Sequence, residues 1–345
     1  MSAPAENDLA HIDWSTGGGG TGFGRYDPAD EMLHPATSSD HPTVSETWLY
    51  MWYVPDARIG AWAYVWMHPN LDVLTSGIIV YQGHKRTHLD AELMDFRAYL
   101  PGAILREGGM GRDVRVPNSL HVEILEPAKQ MRIRYDDPER ANAVDVRFIA
   151  ASPPIVRENG RHFDQVLLAD GQMTLCGREY RVTGHALRDR SWGEPRPEHR
   201  YPIPPFTWMT GTFPQSAISW HLCAYDDPER APDWLGRVIT PEKIFREGWI
   251  FREGEMCRLR AGTQITRRDP KTLVPISADV HLTDMLGRTY DIRGVTLAST
   301  PWSNWPNMSA HVGLARWEMG SEVGWGDLQE FQSPDYVRAM STGIY

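Results

Sequence analysis

The stretch Gly184-His185-Ala186-Leu187-Arg188-Asp189-Arg190-Ser191-Trp192-Gly193 decides how this chain is read. It continues the strand-like run Glu179-Tyr180-Arg181-Val182-Thr183 and brings two guanidinium groups, a carboxylate, an imidazole and an indole close together. Side chains alternate between the two faces of a strand. His185, Leu187, Asp189 and Ser191 would then share one face, and Ala186, Arg188, Arg190 and Trp192 the other. Charges interleaved with Leu and Trp make a poor solvated run. A carboxylate flanked by two Arg is expected to be held ionised in a partly dry place. Two readings of such a cluster stay open: a buried ion pair that pins a turn, and a functional pocket.

Working outward, the dominant period is two. Trp48, Tyr50 and Trp52 alternate with Thr47, Leu49 and Met51. Ile59 to Trp66 and Thr75 to Tyr81 read as further strands. So do the alternating runs Leu120 to Ile124, Met131 to Tyr135 and Val144 to Phe148, and in the second half Trp220 to Ala224, Cys257 to Thr266, Ile276 to Leu282 and Tyr290 to Thr296. Helical patterns are scarce: Leu89 to Tyr99, which also reads as a strand, and Pro334 to Met340. Many antiparallel strands with Pro and Gly turns predict an all-β chain of sandwiches or barrels. Residues 1–44, rich in Gly, Asp, Ser and Pro, read as an extended N-terminal arm. Within it, Gly17, Gly19 and Gly22 have dinucleotide-loop spacing, but no strand precedes them and no amphipathic helix follows. Tyr135-Asp136-Asp137-Pro138-Glu139-Arg140-Ala141 recurs as Tyr225-Asp226-Asp227-Pro228-Glu229-Arg230-Ala231, each copy after a strand. Asp-Asp-Pro is turn chemistry. Pro153-Pro154 and the polar stretch Arg157 to Asp164 mark the expected domain boundary.

Composition narrows the function. Charged residues at 23% and hydrophobic residues at 41% describe a soluble globular protein. A net charge of -10 without a basic block argues against nucleic-acid or anionic-membrane partners. No apolar run approaches a transmembrane span, and the N-terminus lacks signal-peptide features, so a cytoplasmic setting is expected. The three widely spaced Cys suggest neither a disulfide framework nor a zinc site. His84 and His88 are four apart but lack the helix and the Glu of a metal motif, so no metal and no other cofactor is expected. The 14 Trp fit both wide β cores and an aromatic-walled cavity for an apolar ligand.

The Arg188-Asp189-x-Ser191-Trp192-Gly193 segment resembles the signature of the lipocalin-like superfamily that includes carotenoid 1,2-hydratase (hydroxyneurosporene synthase) and kievitone hydratase. The chain looks nearest to that superfamily's uncharacterised bacterial members. Ser45-Glu46-Thr47-Trp48 resembles the first strand, Trp208-Met209-Thr210-Gly211 the strand after the signature, and Gly324 to Glu330 the closing strand. The resemblance implies two lipocalin-like antiparallel β domains packed together, placed at 45–165 and 166–345. One position departs: relatives carry His two residues before the Trp, where this chain has Arg190. That guanidinium would instead grip a carboxylate or phenolate on the substrate.

The function expected from the resemblance and the residues together is a cofactor-independent lyase or isomerase. Hydration, dehydration or a double-bond shift would act on an apolar unsaturated molecule such as an isoprenoid or aromatic polyketide. Asp189 or Glu46 would handle the proton, and His221 or Tyr81 would orient water. Trp192, Trp48, Trp208 and Trp220 would form the walls, with Arg190 and His185 in the binding site. Glu46 on its aromatic strand is expected to face outward as a solvated strand residue; if it faces inward it should pair with Arg or have a raised pKa. A non-catalytic carrier of a hydrophobic metabolite and a pericyclase-like shape catalyst are the alternatives. A homodimer is left open.

Overall fold

The computed structural model describes residues 24–35, 42–157, 159–195, 203–227, 229, 235–236, 238–302 and 308–341. Strands dominate, as the two-residue period predicts. The chain divides into two compact units.

The first unit holds β1 (Val44–Val54), β2 (Ile59–His68), β3 (Val73–Gln82), β4 (Leu93–Pro101), β5 (Asp113–Arg115), β6 (His121–Glu126), β7 (Gln130–Asp137), β8 (Asn142–Ala150), β9 (Ile155–Val156), β10 (His162–Leu175) and β11 (Arg178–Pro195), with the short helix α1 (Ala103–Glu107). They form one 11-stranded antiparallel sheet in the order β4-β3-β2-β1-β11-β10-β8-β7-β6-β5, with β9 on β10. The sheet curls into a half-barrel. Trp48, Tyr50 and Trp52 of β1 face its core with Ala61, Ala63, Val65, Ile78, Val80, Ile133, Val146, Phe148 and Leu167. The even residues of β1 therefore point inward, and Thr47, Leu49 and Met51 point to the other face.

The divide expected at 165/166 moves downstream. β10 pairs with β8, and β11 inserts beside β1, with Thr47 opposite Ser191. Residues 162–195 therefore complete the first sheet, and the polar stretch Arg157 to Asp164 leads into its central strands. Between Ser191 and Glu194, β11 carries one more residue than β1 does between Ser45 and Thr47. This bulge is taken up at Gly193, whose φ of +72° suits glycine. The run Leu93 to Pro101 is a strand rather than a helix, whereas Pro334–Ser341 is helical as expected (α2).

The second unit is a closed antiparallel barrel of β12 (Phe206–Phe213), β13 (Ile218–Tyr225), β14 (Phe245–Arg252), β15 (Glu255–Arg268), β16 (Pro275–Asp284), β17 (Thr289–Trp302), β18 (Ser309–Met319) and β19 (Glu322–Gln332). Segment Gln82–Asp90 belongs to this unit and docks through Lys85 N–H, which donates to Ser299 O at 2.7 Å. Met209, Phe213, Trp220, Leu222, Leu259, Leu282, Ile292, Trp317 and Leu328 fill the interior. Trp220 and Trp317 meet edge to face at 4.9 Å. Gly211 makes room for them, since a Cβ there would lie 2.5 Å from Trp220 Nε1. One region of the interior is polar. Arg268 Nη2 lies 2.7 Å from both Asp226 Oδ2 and Glu330 Oε2, and Tyr336 of α2 lies near the guanidinium.

The repeated heptapeptide is alike at one Asp and different at the other. Asp137 Oδ1 accepts from Arg140 N–H and its counterpart Asp227 Oδ1 from Glu229 N–H, whereas Asp136 is exposed and its counterpart Asp226 is fully buried against Arg268. The glycines Gly17, Gly19 and Gly22 lie outside the described residues.

Candidate functional site

β11 sends its two Arg to one face and Asp189 to the other, as alternation requires, and the two faces do different things. On the core face Arg188 meets Glu31 with Nη1 at 2.7 Å and Nη2 at 2.6 Å. Glu31 closes a 3₁₀ turn at Pro28–Glu31, capped by Asp27, whose Oδ1 accepts from Ala29 N–H at 2.9 Å. Ala128 N–H and Tyr26 Oη also donate to Glu31 Oε1. Burial alone would raise the Glu31 pKa, but Arg188 outweighs it and the net shift is downward. The part of the N-terminal arm from Tyr26 to His34 is therefore a fixed element of the core, not an extended tail.

Arg190 is spent in the same way. Its Nη2 donates to Glu46 Oε2 at 2.7 Å and to Met32 O at 2.7 Å, and its Nη1 donates to Ser191 O at 2.6 Å. Its guanidinium lies 3.9 Å from the Trp48 ring centroid. Glu46 faces inward, not outward as expected, and pairs with Arg, and it also accepts from His34 N–H at 3.0 Å. Trp192 stacks on His34 at 4.7 Å, and Trp48 Nε1 donates to Glu31 O. Glu46, Arg190, Trp48 and Trp192 thus form one buried framework. Its Arg groups hold Glu31 and Glu46, which corrects the expectation that they ionise Asp189.

Asp189 has a different partner. His162 Nε2 lies 2.6 Å from Asp189 Oδ2 and 3.3 Å from Asp164 Oδ1. Burial and Arg157 push the His162 pKa down, but Asp189 and Asp164 outweigh them and the net shift is upward. On the same face Thr47 Oγ1 and Ser191 Oγ are 2.7 Å apart. His185 is further along β11, its pKa pushed down to about 4 by burial. Tyr81 is fully buried, its ring over Gly60. The first unit also has a groove of about 490 Å³ lined by Arg115, His121, Arg134, Asp145 and Gln172, and none of the expected site residues lines it.

In the second unit Trp220 belongs to the barrel core and is not placed as a cavity wall. Trp208 and His221 lie on the opposite face of the barrel wall. His221 Nδ1 lies 3.1 Å from Met209 O, to which Nδ1–H donates, and Nε2 lies 3.3 Å from Cys223 Sγ. Its ring lies 4.7 Å from Trp208 and 5.8 Å from Trp249. His221 is opposite Thr210, and Asp327 N–H donates to Thr210 Oγ1 at 3.4 Å. His221, Thr210 and Asp327 therefore form a row across β13, β12 and β19.

Asp327 is the residue that the sequence reading passed over. Gln329 Nε2 donates to its Oδ2 at 2.5 Å, while Oδ1, also buried, has no hydrogen-bond partner among the described residues. Burial pushes this carboxyl well above the usual carboxylate range, more than the Gln329 bond pulls it down. The available signal was an acid two residues after Trp325 within a strand that pairs it with Gln329, Gly324-Trp325-Gly326-Asp327-Leu328-Gln329. His162 was hidden similarly, in a polar stretch read as a boundary.

The sequence matches the family described as a domain of unknown function, DUF7064, over residues 27–334, and the chain belongs to that family. No curated protein matches it. Among solved structures it is similar to a protein assigned as AttH from Nitrosomonas europaea, with 12% identity, TM-score 0.61, and coverage of 88% of this chain and 100% of the other. It is also similar to kievitone hydratase from Nectria haematococca, with 14% identity, TM-score 0.51 and 93% and 97% coverage. CghA follows with 11% identity, TM-score 0.56 and 92% and 97% coverage. At these identities the likeness is one of fold, and it supports the lipocalin-like architecture.

Proposed function

We propose that this DUF7064 chain is a lyase or isomerase that moves a proton to or from carbon in an unsaturated, largely apolar small molecule, with Asp327 as the acid. The observation that carries this reading is a fully buried carboxyl with one committed and one uncommitted oxygen. Gln329 donates to Oδ2, so the acid's proton belongs on Oδ1, where no protein acceptor holds it among the described residues. Protonating an alkene carbon needs a neutral acid and an aromatic face to stabilise the resulting cation. Trp208 and Trp249 supply indoles around His221, whose imidazole would orient water. An isoprenoid or aromatic polyketide suits such walls, and the reaction would be hydration, dehydration or a double-bond shift. Glu46, Arg190, Trp48 and Trp192, committed to one another, are assigned to the framework.

The test is deuterium transfer. A panel of terpenoid and polyketide alkenes is incubated with the protein in D₂O, and mass spectrometry reads deuterium on carbon. The reading expects label with the wild type and with Asp189→Asn, and none with folded Asp327→Asn. Equal labelling by Asp327→Asn contradicts it. A ligand retained by the wild type without any exchange favours the carrier instead.

A further inference from the structure

We infer that Thr210 binds an oxygen of the substrate, so that the molecule served by Asp327 is a conjugated ketone or a related oxygenated alkene and not a hydrocarbon. The inference rests on the Asp327 reading for the place of the reacting carbon, and it adds what stands beside that carbon.

The ladder between β12 and β19 is interrupted here. It pairs Met209 with Leu328 and then Thr212 with Trp325, and skips the two residues between them on each strand. Gly326 lets the strands approach, since a Cβ on it would collide with Thr210 O. In the gap Asp327 N–H donates to Thr210 Oγ1 at 3.4 Å, a long bond that engages the hydroxyl as acceptor and leaves its own proton uncommitted. That O–H donates to no group among the described residues. Thr210 is 3% exposed, and a hydroxyl proton kept from water without an acceptor is destabilising. On the facing strand Asp327 Oδ1 is also buried and has no hydrogen-bond partner among the described residues. A hydrocarbon would answer the acid and leave the Thr210 proton unmet, whereas an oxygen next to the unsaturated bond answers both.

The strand order gives the arrangement. Thr210 is directly opposite His221 on β13 and, by register, beside Asp327 on β19. Opposed residues of antiparallel strands have Cβ atoms about 4.5–5.5 Å apart. An oxygen held by Thr210 therefore lies between the acid and the imidazole, with Trp208 two residues away on the same face of β12. On a conjugated ketone the balance closes within these groups. Water oriented by His221 adds to the β-carbon, Asp327 gives its proton to the α-carbon, and the proton released by the water returns to the Asp327 carboxylate. Thr210 transfers no proton; its hydrogen bond stabilises the negative charge that builds on the ketone oxygen.

The experiment needs no turnover. β-Ionone, a terpenoid conjugated ketone, and its analogue with C=CH₂ in place of C=O are titrated against the full chain by tryptophan fluorescence. The wild type should bind the ketone about tenfold more tightly, because the analogue leaves the buried donor unmet. The infrared carbonyl stretch of ¹³C-labelled β-ionone should move to lower frequency on binding. Thr210→Val should bring the two affinities to within about twofold and remove the shift, and Thr210→Ser should restore both. The ratio isolates the hydroxyl, since damage to the barrel lowers both affinities together. Equal binding of the two probes by the wild type, a bound ketone without the shift, a ratio unchanged in Thr210→Val, or no binding of either probe overturns the inference. The wild-type ratio and band decide even where a variant fails to fold. Deuterium transfer judges the Asp327 reading separately: ketone preference without exchange leaves the oxygen site and removes the proton transfer, and exchange without the preference removes Thr210 alone.

Discussion

Replacing Arg188 by Met is expected to be among the most damaging conservative changes in the first unit. Glu31 is fully buried and accepts four hydrogen bonds, two of them from Arg188. Ala128 N–H and Tyr26 Oη remain in Arg188→Met, but both donate to Oε1, so Oε2 loses the donor described for it. Gln165 Oε1 also loses its 2.7 Å bond from Arg188 Nε. Breaking a buried pair from one side costs about 3–5 kcal/mol, because a charge is left unpaired in a dry place. Glu31→Leu should cost a similar amount from the other side. The double variant removes both charges and should cost about 2–3 kcal/mol, chiefly from the stranded Ala128 N–H and Gln165 oxygen. The coupling between the two sites is then several kcal/mol. Urea unfolding with hydrogen exchange at β1 and β11 amides reads this cycle within the first unit. Acid adds a second readout with a defined sign. The Glu31 pKa is lowered in the folded state, so its stabilisation is full above the unfolded value and is lost as pH falls through the folded one. Arg188→Met should flatten that acid limb. A single-variant cost under about 1 kcal/mol, or a double variant equal to the sum of the singles, refutes the reasoning.

Other expectations follow from the same geometry. Arg190→Lys should cost about 2–4 kcal/mol, because an ammonium cannot reproduce the planar fork that reaches Glu46, Met32 O and Ser191 O; unchanged urea stability would argue that these bonds are not holding the sheet. Gly211→Ala should destabilise the barrel by about 1–3 kcal/mol through its collision with Trp220 Nε1, read as a lowered melting temperature. Asp327 has a raised folded pKa, so its contribution is full below the unfolded pKa and is lost as pH rises through the folded one. Asp327→Asn should remove that dependence from the melting temperature between acid and alkaline pH, and an unaltered profile would count against it.

The local half of the architecture was legible and the non-local half was not. Alternation alone placed Arg188 and Arg190 on the face opposite Asp189, and it placed Trp48 with Tyr50 and Trp52. It could not say what the guanidiniums meet, because Glu31 is 157 positions from Arg188 and on a separate element. The cue for that element was the Asp27-Pro28-Ala29-Asp30 turn, a helical-start pattern inside an arm read as extended. The boundary was misplaced for a related reason: β11 returns to pair with β1, and strand pairing at that separation leaves no periodic mark. Tryptophan was ambiguous in principle, since Trp220 in the barrel core and Trp208 on the opposite face of the same wall have equally alternating surroundings. Asp327 and His162 depend on burial, which no spacing rule reports.

The central claim is that Asp327 stands as a neutral acid at neutral pH, with a proton to give. Infrared difference spectroscopy across a pH titration, with the carboxylic-acid C=O band assigned by its loss in Asp327→Asn, measures this directly. The account predicts that the band is present at pH 7 and disappears only at higher pH. A carboxylate signature for Asp327 at pH 7 would contradict it.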